Sequence, residues 1–149
     1  MTTVKACLTK KGNSVEVISV KPDEKVVVAL KLMRDNRVRA IMVIKDEKLM
    51  GIITQGDCAI KVLLPGLDAK QVLVQEVMTS NPVSVKLDDP IEACTGLMAS
   101  RNFRHLPVVD AGRVVGVISI GDVVKDNIRQ MGQQIGFLET YIKGHSAAL

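Results

Sequence analysis

The chain has 149 residues, 47% of them hydrophobic and 24% charged, which suits one compact domain or two small units sharing a core and is too apolar for intrinsic disorder. The formal charge of +4 comes from Lys and Arg interspersed with Asp and Glu, with no basic stripe, and only 2% of residues are aromatic; both features argue against a nucleic-acid-binding module. No apolar run reaches the roughly 18 residues of a membrane helix, and Cys7, Cys58, Cys94, His105 and His145 show no metal-ligand spacing.

Three cysteines without a CxxC pair fit a reducing compartment. The expectation is a soluble cytoplasmic protein that is not an enzyme. No nucleophile stands beside a base, and no GxxxxGK[ST] loop is present to cradle phosphates.

An internal repeat organises the chain. A shift of about 65 residues aligns Ser19–Lys61 with Ser84–Asp126 without a gap. Leu32-Met33 then meets Leu97-Met98, Arg39 meets Arg104, and Gly51-Ile52-Ile53-Thr54 meets Gly116-Val117-Ile118-Ser119. Gly56-Asp57 meets Gly121-Asp122. The two copies are therefore one supersecondary unit used twice.

In copy one a short strand is expected near Val17–Val20. A helix follows, capped by Asp23 or Glu24, with Val26, Leu30 and Met33 as its apolar stripe. The apolar runs Ala40–Ile44 and Leu49–Thr54 flank a short polar link and predict a hairpin. A second helix starts after Asp57, and Pro65-Gly66 ends it. Residues 65–81 form a connection, with a short helix over Ala69–Val77. Copy two repeats the pattern: a strand near Val83–Val85, then Asp89-Pro90 as acceptor and first-turn proline of a helix carrying Ile91, Cys94 and Met98. The hairpin His105–Val109 with Val114–Ser119 comes next, and a helix follows Asp122.

The unit reads β-α-β-β-α. Alone it is too small to cover both faces of a three-stranded sheet, so two copies are expected to pack with pseudo-twofold symmetry in an α/β fold of α+β type. The divisions are residues 1–64, 65–81, 82–126 and a C-terminal helix over 127–149. In that last segment Val124, Ile128, Met131, Ile135, Leu138 and Ile142 recur at spacings of four and three, an a/d seam. The helix either folds back onto its own domain or packs against a twofold mate.

Val77-Met78-Thr79-Ser80-Asn81-Pro82, Phe103-Arg104-His105-Leu106-Pro107-Val108 and the Gly-φ-Ile-Thr/Ser-x-Gly-Asp run of both copies resemble a tandem cystathionine-β-synthase (CBS) domain pair, or Bateman module. The resemblance covers residues 4–126, and Val4–Thr9 echoes Val74–Thr79 as a lead-in to copy one.

The resemblance implies a stand-alone regulatory module that binds AMP, ADP, ATP or S-adenosylmethionine between its repeats and dimerises as paired discs. Site one would use Thr54, Asp57, Ile52 and Arg39, with Val83, Phe103 and His105 opposite. Site two would use Ser119, Asp122, Val117 and Arg104, with Ile18, Val38 and Ala40 opposite. A carboxylate can accept both hydrogen bonds of a ribose, and an arginine can meet a phosphate by charge-assisted hydrogen bonds. The same [ST]-x-x-[DE] spacing also writes a capping box at a helix start, so Thr54–Asp57 and Ser119–Asp122 carry both readings. The alternative function is a constitutive adaptor with vestigial sites, regulating a redox enzyme as some plant pairs of this type do.

Overall fold

The computed structural model describes residues 2–10, 17–101 and 104–147, with side chains on the last helix described as far as Gly136 and at Leu138. The elements, in chain order, are α1 (Val4–Lys10), β1 (Ser19–Val20), α2 (Val26–Asn36), β2 (Ala40–Lys45), β3 (Lys48–Thr54) and α3 (Gln55–Cys58), which runs on as a π-turn over Ala59–Leu63. Then come α4 (Val74–Val77), β4 (Thr79–Ser80), α5 (Ile91–Arg101), β5 (His105–Asp110), β6 (Arg113–Ser119) and α6 (Ile120–Ala147).

Each copy is built on an antiparallel hairpin in the same register. Ala40 faces Thr54 across β2 and β3, and His105 faces Ser119 across β5 and β6. Both hairpins turn on two residues at positive φ, Asp46 and Glu47 in one, Ala111 and Gly112 in the other, the backbone hand that matches strand twist in a tight hairpin. In copy one β1 joins parallel to β2, and β4 pairs with β3, giving the order β1-β2-β3-β4. In copy two the expected first strand shrinks to a single parallel bridge, Val85 with Val108. Its two hydrogen bonds, Val85 N to Pro107 O and Val109 N to Val85 O, are both 2.9 Å.

Two apolar cores result. Val26, Ala29, Met33, Ile41, Val43 and Ile53 centre the first, and Ile91, Cys94, Leu106, Val108 and Ile118 the second. Burying such side chains stabilises by about 1.5–3 kcal/mol each.

The lead-in departs from expectation. Helix α1 does not close copy one: Val4, Cys7 and Leu8 are buried in the core of copy two, while Val74 and Val77 of α4 are buried in the core of copy one. The main-chain bonds repeat as a set. Val4 N donates to Asp89 O and Lys5 N to Leu87 O; Val74 N donates to Glu24 O and Gln75 N to Pro22 O, all within 2.8–2.9 Å. Each repeat is thus closed by the helix that precedes the other.

This arrangement also displaces the expected caps. The first free N–H of α2, on Val26, donates to Val72 O, and that of α5, on Ile91, donates to Thr2 O. With those donors taken by the lead-ins, the acids turn the other way. Glu24 accepts from Lys21 N and Asp89 from Lys86 N, each at 2.8 Å. In α2 the N-cap residue is Lys25, with no side-chain bond.

The glycines of the β3 and β6 centres mark the same contacts. A Cβ on Gly116 would lie 2.9 Å from the Leu8 methyls, and one on Gly51 would lie 2.7 Å from Thr79 O. β3 and β6 touch across the two repeats, and Arg113 reaches Glu47 at 2.9 Å from one hairpin end to the other.

Candidate functional site

Each hairpin ends in a residue that caps a helix. The helices begin at Gln55 and Ile120, three residues earlier than the sequence pattern suggests, so Asp57 and Asp122 lie inside the first turn. Asp57 N donates to Thr54 Oγ1 at 3.1 Å and Thr54 N to Asp57 Oδ2 at 3.0 Å. The second copy matches: Asp122 N to Ser119 Oγ at 3.2 Å and Ser119 N to Asp122 Oδ2 at 2.8 Å. Both copies form a reciprocal capping box, which satisfies two otherwise orphaned donors. Asp57 Oδ1 also lies 3.7 Å from Lys61 Nζ.

The arginines are fixed by the same turns. Gln55 N donates to Arg39 O at 3.0 Å, and Ile120 N to Arg104 O at 2.9 Å. Each arginine precedes the strand that pairs with its copy's capping residue. Strand register therefore places an arginine next to the residue that faces a capping hydroxyl, in both copies.

These elements converge on one cleft of about 690 Å³. Arg39, Ile52, Thr54, Gln55 and Gly56 enter from copy one, and Arg104, His105, Ser119, Ile120 and Gly121 from copy two. Thr79, Pro82 and Val83 complete the lining.

The expected site residues divide. Thr54, Ile52, Arg39, Val83 and His105 of site one line this cleft, together with Ser119 and Arg104 of site two. Asp57 and Asp122, bonded into their capping boxes, are not among the described lining residues. Val117 is half-buried and also outside it. Ile18 and Val38, expected opposite site two, pack on the first core instead. Ala40 is half-buried on β2, outside the described lining. Phe103 falls outside the described residues. Thr79, Pro82, Gly56 and Gly121 were not among the expected site residues; their signal lay in the Thr79–Pro82 motif and the duplicated glycines.

One thiol borders this region. Burial, with Asp57 beside it, pushes the Cys58 thiol up to about 11. Burial acts likewise on Cys94, with smaller contributions from Asp89 and Cys7, raising it to about 11. Both thiols are neutral at pH 7, so they behave as small apolar side chains. Among the described residues no His, Cys, Asp and Glu group could hold a metal ion, and no helix is long and apolar enough to cross a membrane.

Two hairpin repeats of one register, exchanging lead-ins and sharing a cleft, define a paired-repeat module. The CBS domain family profile matches residues 11–63 and 74–127, and the chain belongs to that family. It is 33% identical over 119 residues to the CBS domain-containing protein YhcV of Bacillus subtilis, covering 80% of this chain and 82% of that protein. A solved CBS domain, NE2398, superposes with a TM-score of 0.79 at 41% identity, covering 85% of this chain and 98% of the other. CBSX2, solved in complex with AMP, superposes with a TM-score of 0.72 at 25% identity, covering 85% and 97%.

Proposed function

We propose that the chain is a non-catalytic regulatory module that binds an adenosine nucleotide in the cleft between its repeats and, as a homodimer, modulates a partner protein. One observation carries the reading: Arg39, Thr54, Arg104 and Ser119, two equivalent pairs, meet in a single cleft with the apolar wall of Ile52, Pro82 and Val83. Guanidinium and hydroxyl groups suit phosphate and ribose, and an apolar wall suits a base. The AMP complex of CBSX2 supports the same ligand class.

A ribose that draws Asp57 or Asp122 toward the cleft competes with the amide N–H that the Oδ2 of each carboxylate now accepts. Nucleotide binding then weakens a helix cap in favour of a ligand contact. Such an exchange gives the ligand differential affinity for two states, the requirement for a population shift.

The dimer surface is the apolar stripe of α6. Val124, Ile128, Met131, Ile135 and Leu138 are 49–61% exposed, while Val123 and Asp126 on the opposite side are buried. The seam therefore does not fold onto its own domain over its described length; Ile142 lies beyond the described side chains. Ile60, Leu63, Leu64 and Leu67, around the π-turn, are also exposed, and a second copy would cover both strips.

A thermal-shift series with AMP, ADP, ATP and S-adenosylmethionine tests the reading. A ligand at a hundredfold excess over Kd stabilises by about 2.7 kcal/mol. The expected result is a rise of several degrees with an adenine nucleotide, lost in the Asp57→Ala/Asp122→Ala protein. No shift at millimolar ligand favours the second reading, a constitutive adaptor, for example of a redox enzyme. The closed capping boxes, in which both aspartates already accept from a backbone amide, favour that reading in turn.

A further inference from the structure

The cleft is symmetric in charge and asymmetric in its apolar wall. Arg39 and Arg104, equivalent across the repeat, both line it, and no acidic side chain joins them among the described lining residues. Neither arginine forms a salt bridge among the described residues. Ile52, Pro82 and Val83 make an apolar wall on one side. Their repeat equivalents do not reproduce it: Val117 and Ile18 lie outside the described lining, and Ile18 packs on the first core. One base wall and two cations share a single volume, about 690 Å³, within the range that holds one small ligand.

Resting on the nucleotide-binding reading above, we propose that the cleft takes one nucleotide per chain and selects a di- or triphosphate, whose phosphate chain spans Arg39 and Arg104. A monophosphate can engage one guanidinium well. A second phosphate gains the other by a charge-assisted hydrogen bond. A sulfonium ligand brings a positive charge to a cleft whose described lining holds two guanidinium groups and no acidic side chain, and loses on both counts.

Titration calorimetry of the full chain with ATP, ADP, AMP and S-adenosylmethionine reads this directly. The expected result is one molecule per chain, with ATP and ADP bound about tenfold or more tighter than AMP, as one extra charge-assisted hydrogen bond predicts. S-adenosylmethionine should be the weakest of the four. Arg39→Ala and Arg104→Ala are exposed substitutions, and each should bring ATP close to AMP in affinity. Two molecules per chain, equal affinity for AMP and ATP, or preference for the sulfonium compound would overturn this inference and leave the nucleotide reading standing. Absence of heat with all four, at millimolar ligand, would overturn both.

Discussion

Asp57 turns its carboxylate back onto the amide N–H of Thr54, 3.0 Å away, while Thr54 accepts from the amide of Asp57. The pair holds the first turn of α3 at the rim of the cleft. Asp57→Ala should therefore cost about 1 kcal/mol of stability, the usual effect of losing a cap. Denaturant unfolding measures it. The same substitution at Asp122 should cost a similar amount, because its box has the same bonds.

Gly51 and Gly116 occupy equivalent strand positions but should respond differently to alanine. At Gly116 the nearest atoms to the added carbon belong to the Leu8 side chain and not to backbone. At Gly51 it meets the Thr79 carbonyl of the paired strand β4 and the Met78 sulfur. Gly51→Ala should destabilise by about 1–3 kcal/mol, the range for overpacking, and Gly116→Ala by less. Parallel urea titrations of both variants give the comparison.

Leu8 and Val4 belong to the second core, so Leu8→Ala should act on copy two. The expected loss is about 2–5 kcal/mol for a buried leucine. Hydrogen exchange should show lost protection first in β5, β6 and α5. Faster exchange confined to β2, β3 and α2 would contradict the exchanged lead-ins.

Ile128 sits in the middle of the exposed α6 stripe. Ile128→Glu should convert a dimer to a monomer in light scattering without lowering the stability of the repeats, because no core contact is lost. A wild-type chain already monomeric at high micromolar concentration would refute the dimer seam.

Alkaline conditions probe the buried thiols. Cys58 and Cys94 ionise near 11 in the fold, against about 9 in an exposed thiol. Between those values the unfolded chain has lost the protons and the folded chain has kept them. Stability contributed by the neutral thiols is intact below pH 9 and is lost as pH rises toward 11, on the order of 2 kcal/mol per thiol. Cys58→Ala should flatten part of that slope.

The hairpins and the duplicated cleft residues were legible because their signals are local. Alternating apolar residues, a short polar link and a glycine at matching places define each hairpin, and the repeat doubles every signal. The lead-ins were not legible. Val4–Thr9 resembles Val74–Thr79, but resemblance does not say which core each one enters, and only the bonds from Val4 to Asp89 and Val74 to Glu24 decide it. The helix caps failed for the same reason. Asp89 stands where a cap belongs, yet Thr2 O has already taken the Ile91 N–H. The second site's far wall was lost because Ile18 and Val38 find apolar partners in their own core.

The exchange of lead-ins has a temporal side. Helix α1 is synthesised before any of its packing partners, and must wait unsatisfied until β6 has emerged, more than a hundred residues later. Copy one, though encoded first, is completed only by α4. The first core draws only on residues 18–78 and can form once α4 has emerged, whereas the second needs α1 from the far end of the chain, and loop closure over such a separation slows folding. A nascent chain cut short between the copies would carry Leu8 and Val4 with nothing to cover them.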